Sequence, residues 1–379
     1  MMKETMTSRQ RVKNAIEHKP VDRMPIDLSV HFSTGISAYA YFHLREFLGL
    51  STDHIEMIDM MQGLARVDDD IIERFHVDTM LLNPPWQKHK RWNPHSVYNF
   101  LIPDSAELTQ LPDGAWESNA PEGKATMPAG GYFFDGVWPN HYRLDPEPLF
   151  DYYAVSAERI HKQTDKFTMM MGFSSYFGGL DFACSMLTDP EEATEYNKQI
   201  HQWNIDRFDL LMKKMPGWVD SIEVNGDLGT QNGLMCTPDS YEQICYPFLK
   251  EFCDYVHKNS DIKVFMHSCG AIKEALPMIV DAGVDAINPV QISATGMDPA
   301  ALKAQFGKDI TFWGGGCETQ TALWSYTPDQ IRAHVKELVT IFKPGGGFVF
   351  NQVHNIMGNV PPENIIAMFD TAYENAWVE

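Results

Sequence analysis

Apolar residues along the chain collect in short β-rich runs that stop at glycine, asparagine or another turn residue, and most runs give way to a stretch with helical spacing. The pattern predicts strands at Ile26–Val30, Val77–Leu82, Phe167–Phe173, Ser221–Val224, Val264–Cys269, Asp285–Val290, Asp309–Trp313 and Gly347–His354. It predicts helices over 5–18, over a region whose clearest part is 53–75, and over 154–163. Further helices open at Thr188-Asp189-Pro190, Thr237-Pro238-Asp239, Thr327-Pro328-Asp329 and Pro361-Pro362-Glu363, with caps, early prolines and first-turn acids. The run Asp68-Asp69-Asp70 reads as a solvated face, because consecutive helical residues point in different directions. Eight strands, each followed by helical sequence, is the count of a (β/α)8 TIM barrel, which needs about 250 residues.

About half of the surplus is explained by a lapse in the rhythm. From about 88 to 152 the chain is rich in proline, glycine and aromatics, including Trp92, Trp116, Tyr132, Phe133, Phe134 and Trp138. A stretch this long is expected to be an inserted hairpin or lid on a single domain spanning 1–379. Its aromatics form either a wall over a pocket or a satellite cluster under a surface insertion.

Active sites in such a barrel gather where the strands end. His267 and Cys269 are two apart, so they share a face at the end of the fifth strand. Another β run ends in Trp313-Gly314-Gly315-Gly316 and then Cys317, giving H-x-C-x47-C. One imidazole and two thiolates suit zinc and leave a fourth position open, the catalytic pattern. Read singly, each residue is better explained as a small buried thiol or a hydrogen-bonded imidazole, and it is their shared position at strand ends that points to a metal. Asp227, Glu223 and His354 also fall at strand ends. Asp227 is the first choice for orienting a ligand or donating a proton and Glu223 the second, with a braced structural carboxylate as the alternative. Trp86, Tyr176, Asn225 and Gln231 follow the second, third and fourth strands and are expected to contact substrate. Met169-Met170-Met171 mildly favours a flat apolar substrate, although core methionines read the same way.

Charge narrows the partners. A net charge of −21 and a pI near 5.0 argue against nucleic acid and anionic membranes, and for a small molecule or a protein. The six cysteines have no framework spacing and read as reduced thiols of a cytoplasmic protein. No segment resembles a signal peptide or reaches membrane-spanning length.

At this point the chain resembles the uroporphyrinogen decarboxylase superfamily along nearly all its length. The resemblance is carried by Val21-Asp22-Arg23-Met24-Pro25, Gly226-Asp227-Leu228-Gly229-Thr230-Gln231, His267-Ser268-Cys269-Gly270, Val353-His354-Asn355-Ile356 and Val360-Pro361-Pro362-Glu363-Asn364. It implies the barrel and a homodimer. The family's true decarboxylases are metal-free and grip a tetracarboxylate with N-terminal arginines, where this chain has His31-Phe32-Ser33-Thr34-Gly35. The H-x-C pair instead resembles the zinc-dependent methyltransferases of the superfamily, which exchange methyl groups with a corrinoid on a partner protein. That implies zinc as cofactor and a corrinoid protein as partner, with a methoxylated aromatic as the preferred methyl donor. The alternatives are a methylcobalamin:thiol methyltransferase and a metal-free decarboxylase or lyase using Asp227 and His354. In the thiol-methylating members the third ligand follows the last strand, where this chain carries His354. The expected ligands are therefore His267, Cys269 and either Cys317 or His354, or all four.

Overall fold

Six barrel strands lie side by side in sequence order as one parallel sheet: Met169–Ser174, Ser221–Asn225, Lys263–His267, Ala286–Asn288, Thr311–Trp313 and Phe348–Val349. The computed structural model describes residues 3–82, 88–120, 123–136 and 146–378. Two extended segments that pair only through isolated bridges close the ring. Ile26 bridges Phe350 and Thr79 bridges Phe167, both in parallel, and the Asp78 N–H donates to the Ile26 carbonyl at 2.7 Å. The result is the eight-stranded (β/α)8 barrel that the alternation of runs predicts.

The N-terminal helix, Ser8–Ile16, seals the bottom of this ring. Thr7 and Gln10 form a capping box that fixes its start. Its Val12 and Ile16 join Val30, Phe167, Met169, Phe265, Ala286, Trp313 and Val349 in one buried cluster drawn from most of the strands. Met169 is thus part of the barrel filling, which accounts for one member of the methionine run without any ligand. A buried ion cluster ties the helix down. Asp78 accepts from Arg11 at 2.6 Å and from Arg23 at 2.7 Å, and its side chain has no exposed surface. Arg11 also reaches Asp22 at 2.7 Å, and Arg23 reaches Glu4 at 2.8 Å. The Asp22-Arg23 motif is therefore a clasp between the N-terminal segment and the second strand.

The helix expected over 53–75 is corrected by the structure. Met57–Asp59 and Leu64–Ala65 form an antiparallel hairpin, and only Asp69–Arg74 is helical. The clear helix of this region is Ala38–Phe47. The cause is local. The Asp59 carboxylate accepts the N–H groups of Met61 at 3.0 Å and Gln62 at 3.3 Å, offering the backbone a turn in place of a helix. Gly63 then takes φ +66°, with the Tyr132 carbonyl 2.6 Å from where a Cβ would stand. Asp68 and Asp70 do not sit idle in solvent, since both bind Arg45.

The insertion is built of antiparallel strands. His89–Trp92 pairs with Phe100–Pro103, and Leu108–Gln110, Trp116–Ala120, Gly123–Met127 and Asp135–Gly136 form a second sheet. Trp92 packs edge-on against Trp116 and lies tilted beside Phe134, and Trp92 and Phe134 are continuous with the main hydrophobic core, so these aromatics are not a separate satellite cluster. Trp138 lies outside the described residues. The helix expected from 154 begins earlier, as Pro146–Gln163. Among the described residues, no helix is long and apolar enough to cross a membrane, and all six cysteines are free thiols.

Candidate metal centre

The fifth strand ends at His267, and the chain then turns sharply through Ser268, Cys269 and Gly270. That turn is pressed against the one following the fourth strand. Gly270 has φ +91°, and a Cβ there would lie 2.4 Å from the Gly229 carbonyl carbon. The two turns are stitched by Gly229 N–H to Cys269 O at 3.2 Å and Ala271 N–H to Thr230 O at 2.8 Å. Asp227 completes the brace, its Oδ1 accepting the Cys269 N–H at 2.8 Å. The glycines of both motifs therefore serve backbone contact, and the contact aims Cys269. Gly270→Ala is expected to destabilise the protein by about 2 kcal/mol or more, the scale of strained backbone and overpacking. A urea unfolding titration of the two proteins checks this.

His267, Cys269 and His354 come together, their ligand atoms all within 4.8 Å of one another. His267 Nε2 and Cys269 Sγ are 3.5 Å apart. Tetrahedral zinc with ordinary Zn–N and Zn–S lengths needs an N···S edge of ~3.6 Å. The donor set thus fits a zinc ion, and the His267–Cys269 edge is close to the tetrahedral length. Burial, reinforced by nearby His31, pushes His267 down to about 4. Burial also lowers His354, so both imidazoles are neutral, the form that binds metal. Burial and then the Asp227 carboxylate push the Cys269 thiol up, so its proton is the one that metal binding displaces.

Cys317 is not in this group. Its side chain is fully buried and belongs to the main hydrophobic core, and its sulfur lies 3.8 Å from the Glu318 carbonyl. The left-handed Gly314 and Gly315 turn the chain, and the Cys317 carbonyl, not its sulfur, meets the last-strand segment by accepting the Val353 N–H at 2.9 Å. That contact places the next residue, His354, at the mouth. Of the two candidates for third ligand, the geometry brings in His354.

The other expected site residues divide. Asp227 stands at the centre, its side chain half exposed and its Oδ1 3.5 Å from His267 Nε2. Glu223 is buried beneath, accepting from His31 Nε2 at 3.0 Å and from the Gly172 N–H at 2.7 Å. Burial alone raises its pKa, but His31 and the Gly172 N–H outweigh that and hold it below the usual range. It is a bracing carboxylate. Gln231 reaches the rim, its Oε1 accepting from Gln291 Nε2 at 2.9 Å and from Gln320 Nε2 at 3.4 Å. Asn225 ends its strand exposed, in register with His267, outside the cavity lining. Tyr176 is turned away: its hydroxyl bonds His201 Nδ1 at 3.0 Å and its ring stacks on Phe248. Trp86 lies outside the described residues.

Beside these three residues is a cavity of about 630 Å³. Cys269 and His354 form part of its floor, Gln291 and Gln320 supply amides, and Tyr132, Phe133 and Trp324 supply aromatic faces. Tyr132 and Phe133 belong to the insertion, so part of it walls the site while its Tyr98 and Phe100 pack on Tyr39 of the Ala38–Phe47 helix. Gln291, Gln320, Trp324, Asn288 and His31 were not singled out as site residues from the sequence. Asn288 alone carried a signal, as a polar residue ending a barrel strand in register with His267.

A His/Cys/His cluster that could hold a metal ion thus lies where the strands of a TIM barrel end. Residues 167–375, more than half the chain, match the family described as Uroporphyrinogen decarboxylase (URO-D), and the chain belongs to that family. It is 28% identical over 177 residues to the uroporphyrinogen decarboxylase of Psychromonas ingrahamii, covering 44% of this chain and 47% of that protein. It is 23% identical over 172 residues to that of Pelodictyon phaeoclathratiforme, covering 44% and 45%. The matched stretch spans about half the length of these curated relatives. Across nearly the whole chain the fold resembles a methyltransferase from Methanosarcina mazei, with TM-score 0.59, 16% identity and coverage of 97% and 99%.

Proposed function

We propose that this protein is a zinc-dependent methyltransferase that takes a methyl group from a small methoxylated aromatic and passes it to the corrinoid of a partner protein. The observation that carries the reading is the ligand set His267, Cys269 and His354 opening onto an aromatic-walled cavity. The likeness in fold to a methyltransferase and the membership of the uroporphyrinogen decarboxylase family support the class of reaction.

The ligand chemistry chooses the side of the reaction. Two imidazoles and one thiolate bring a single negative charge, so a divalent ion held there keeps a net positive charge; two thiolates would neutralise it. Zinc so bound would supply Lewis acidity toward the oxygen of a substrate ether. That favours the ether donor over the thiol acceptor. Tyr132, Phe133 and Trp324 offer flat faces to an aromatic ring, and the amides of Gln291 and Gln320 offer donors and acceptors to its substituents. Asp227, held by the Cys269 N–H, presents its carboxyl beside the ligands, where a proton can pass to the departing oxygen.

The test supplies 2-methoxyphenol and chemically reduced cob(I)alamin and follows methylcobalamin by absorbance. Zinc-loaded wild type is expected to form methylcobalamin in a donor-dependent way, Cys269→Ala to form none, and Asp227→Asn to lose about a hundredfold or more in rate, the scale of acid–base assistance. Undiminished turnover by Cys269→Ala, or methyl transfer only from methylcobalamin to a thiol, contradicts the reading.

A further inference from the structure

We propose that Asn288 is a positioning residue that selects the metal-binding tautomer of His267. The inference rests on the metal reading above and concerns a residue that touches neither substrate nor metal. Asn288 ends the sixth strand in register with His267 and is fully buried. Its orientation is set from behind: Nδ2 donates to the Trp313 carbonyl at 2.9 Å. Reversing the amide would set its oxygen against that carbonyl. Oδ1 therefore faces His267 Nδ1 at 2.8 Å.

An amide oxygen only accepts, so Nδ1 of His267 must carry the hydrogen. In a neutral imidazole the lone pair is then on Nε2. Nε2 is the nitrogen 3.5 Å from Cys269 Sγ, so the tautomer that Asn288 demands is the one a metal needs. A buried polar chain holds Asn288 in turn. Ser33 Oγ donates to the same Oδ1 at 2.7 Å, and Ser33 Oγ lies 2.6 Å from His31 Nδ1. His31 stands on Glu223, and Glu223 on the Gly172 N–H. His31, Ser33 and Glu223 are all buried. The third, fourth, fifth, sixth and seventh strands and the turn after the first thus converge on one ring nitrogen. This gives the His31-Phe32-Ser33 segment a role in this chain: it supports the metal ligand from below.

The test uses metal-free, full-length protein labelled with ¹⁵N-histidine. Wild type is expected to show His267 as the Nδ1–H tautomer in long-range ¹H–¹⁵N spectra. Asn288→Leu is expected to admit the Nε2–H tautomer and to weaken zinc binding, measured against a chromophoric chelator, by about 10–100-fold. Asn288→Asp keeps an acceptor oxygen and is expected to retain the Nδ1–H tautomer and to bind zinc more tightly than Asn288→Leu. An Nε2–H tautomer in wild type overturns the proposal without any variant, so a variant that fails to fold does not shield it. Zinc affinity unchanged in Asn288→Leu also overturns it. A wild type that binds no zinc refutes the metal reading instead, and the tautomer spectrum still judges Asn288.

Discussion

His354→Ala is expected to abolish stoichiometric zinc binding, and Cys317→Ala to leave it intact. The ligand atoms of His267, Cys269 and His354 share one small volume, whereas the Cys317 side chain is in the hydrophobic core. Removing one of three protein ligands should weaken affinity by more than the roughly 10–100-fold that loss of a supporting hydrogen bond produces. Cys317→Ala removes a buried sulfur and should cost about 1 kcal/mol of stability, an ordinary core effect. Zinc content after gel filtration, with urea unfolding beside it, separates the outcomes. Zinc lost from Cys317→Ala at normal stability would mean that the loop rearranges around the ion. Zinc retained by His354→Ala would remove the argument for a positively charged centre and favour the thiol chemistry.

The second large effect is on stability. Asp78→Ala is expected to destabilise the protein by about 3–5 kcal/mol, because it leaves the Arg11 and Arg23 guanidiniums buried without their shared carboxylate. Both arginines have nearly fully buried side chains, so water cannot replace the lost partner. The Arg74–Asp370 pair is the control. Its side chains are 39% and 37% exposed, and Asp370→Ala should cost about 0–1 kcal/mol. Urea midpoints of the two variants decide the matter, and equal shifts would show that the clasp holds nothing. Since the N-terminal helix plugs the barrel from below, the damage should spread to the strands and so reach the metal centre indirectly.

These two predictions draw on different kinds of sequence signal. The barrel was legible because its strands are apolar runs closed by turn residues, and because capped helices open at Asp189, Thr237 and Thr327, whose side chains do accept first-turn N–H groups. His267 and Cys269 were legible because a period of two fixes their common face. The third ligand was not. Both Cys317 and His354 follow barrel strands, and the choice depends on where a left-handed Gly314-Gly315 turn sends the chain, which no periodicity encodes. The hairpin at 57–65 escaped for a related reason, since its buried Met57, Met60 and Leu64 mimic helical spacing while Asp59 and Gly63 impose a turn.

The polar support beneath the site was hidden for another reason. The His31–Ser33 turn, Glu223 and Asn288 lie far apart in sequence and meet only because the barrel closes. Glu223 stood out from the sequence as a candidate acid, but nothing there pointed to its partnership with His31 and Ser33. Only together do they show that His267 has a partner on the side away from Cys269.

The proposed reaction depends on a zinc ion held by two histidines and one cysteine. Zinc K-edge X-ray absorption on protein purified without chelators tests it most directly. The expected result is about one zinc per chain, with one sulfur at about 2.3 Å and the remaining neighbours nitrogen or oxygen at about 2.0–2.1 Å. Two sulfurs in the shell, or a protein that retains no zinc, would contradict it.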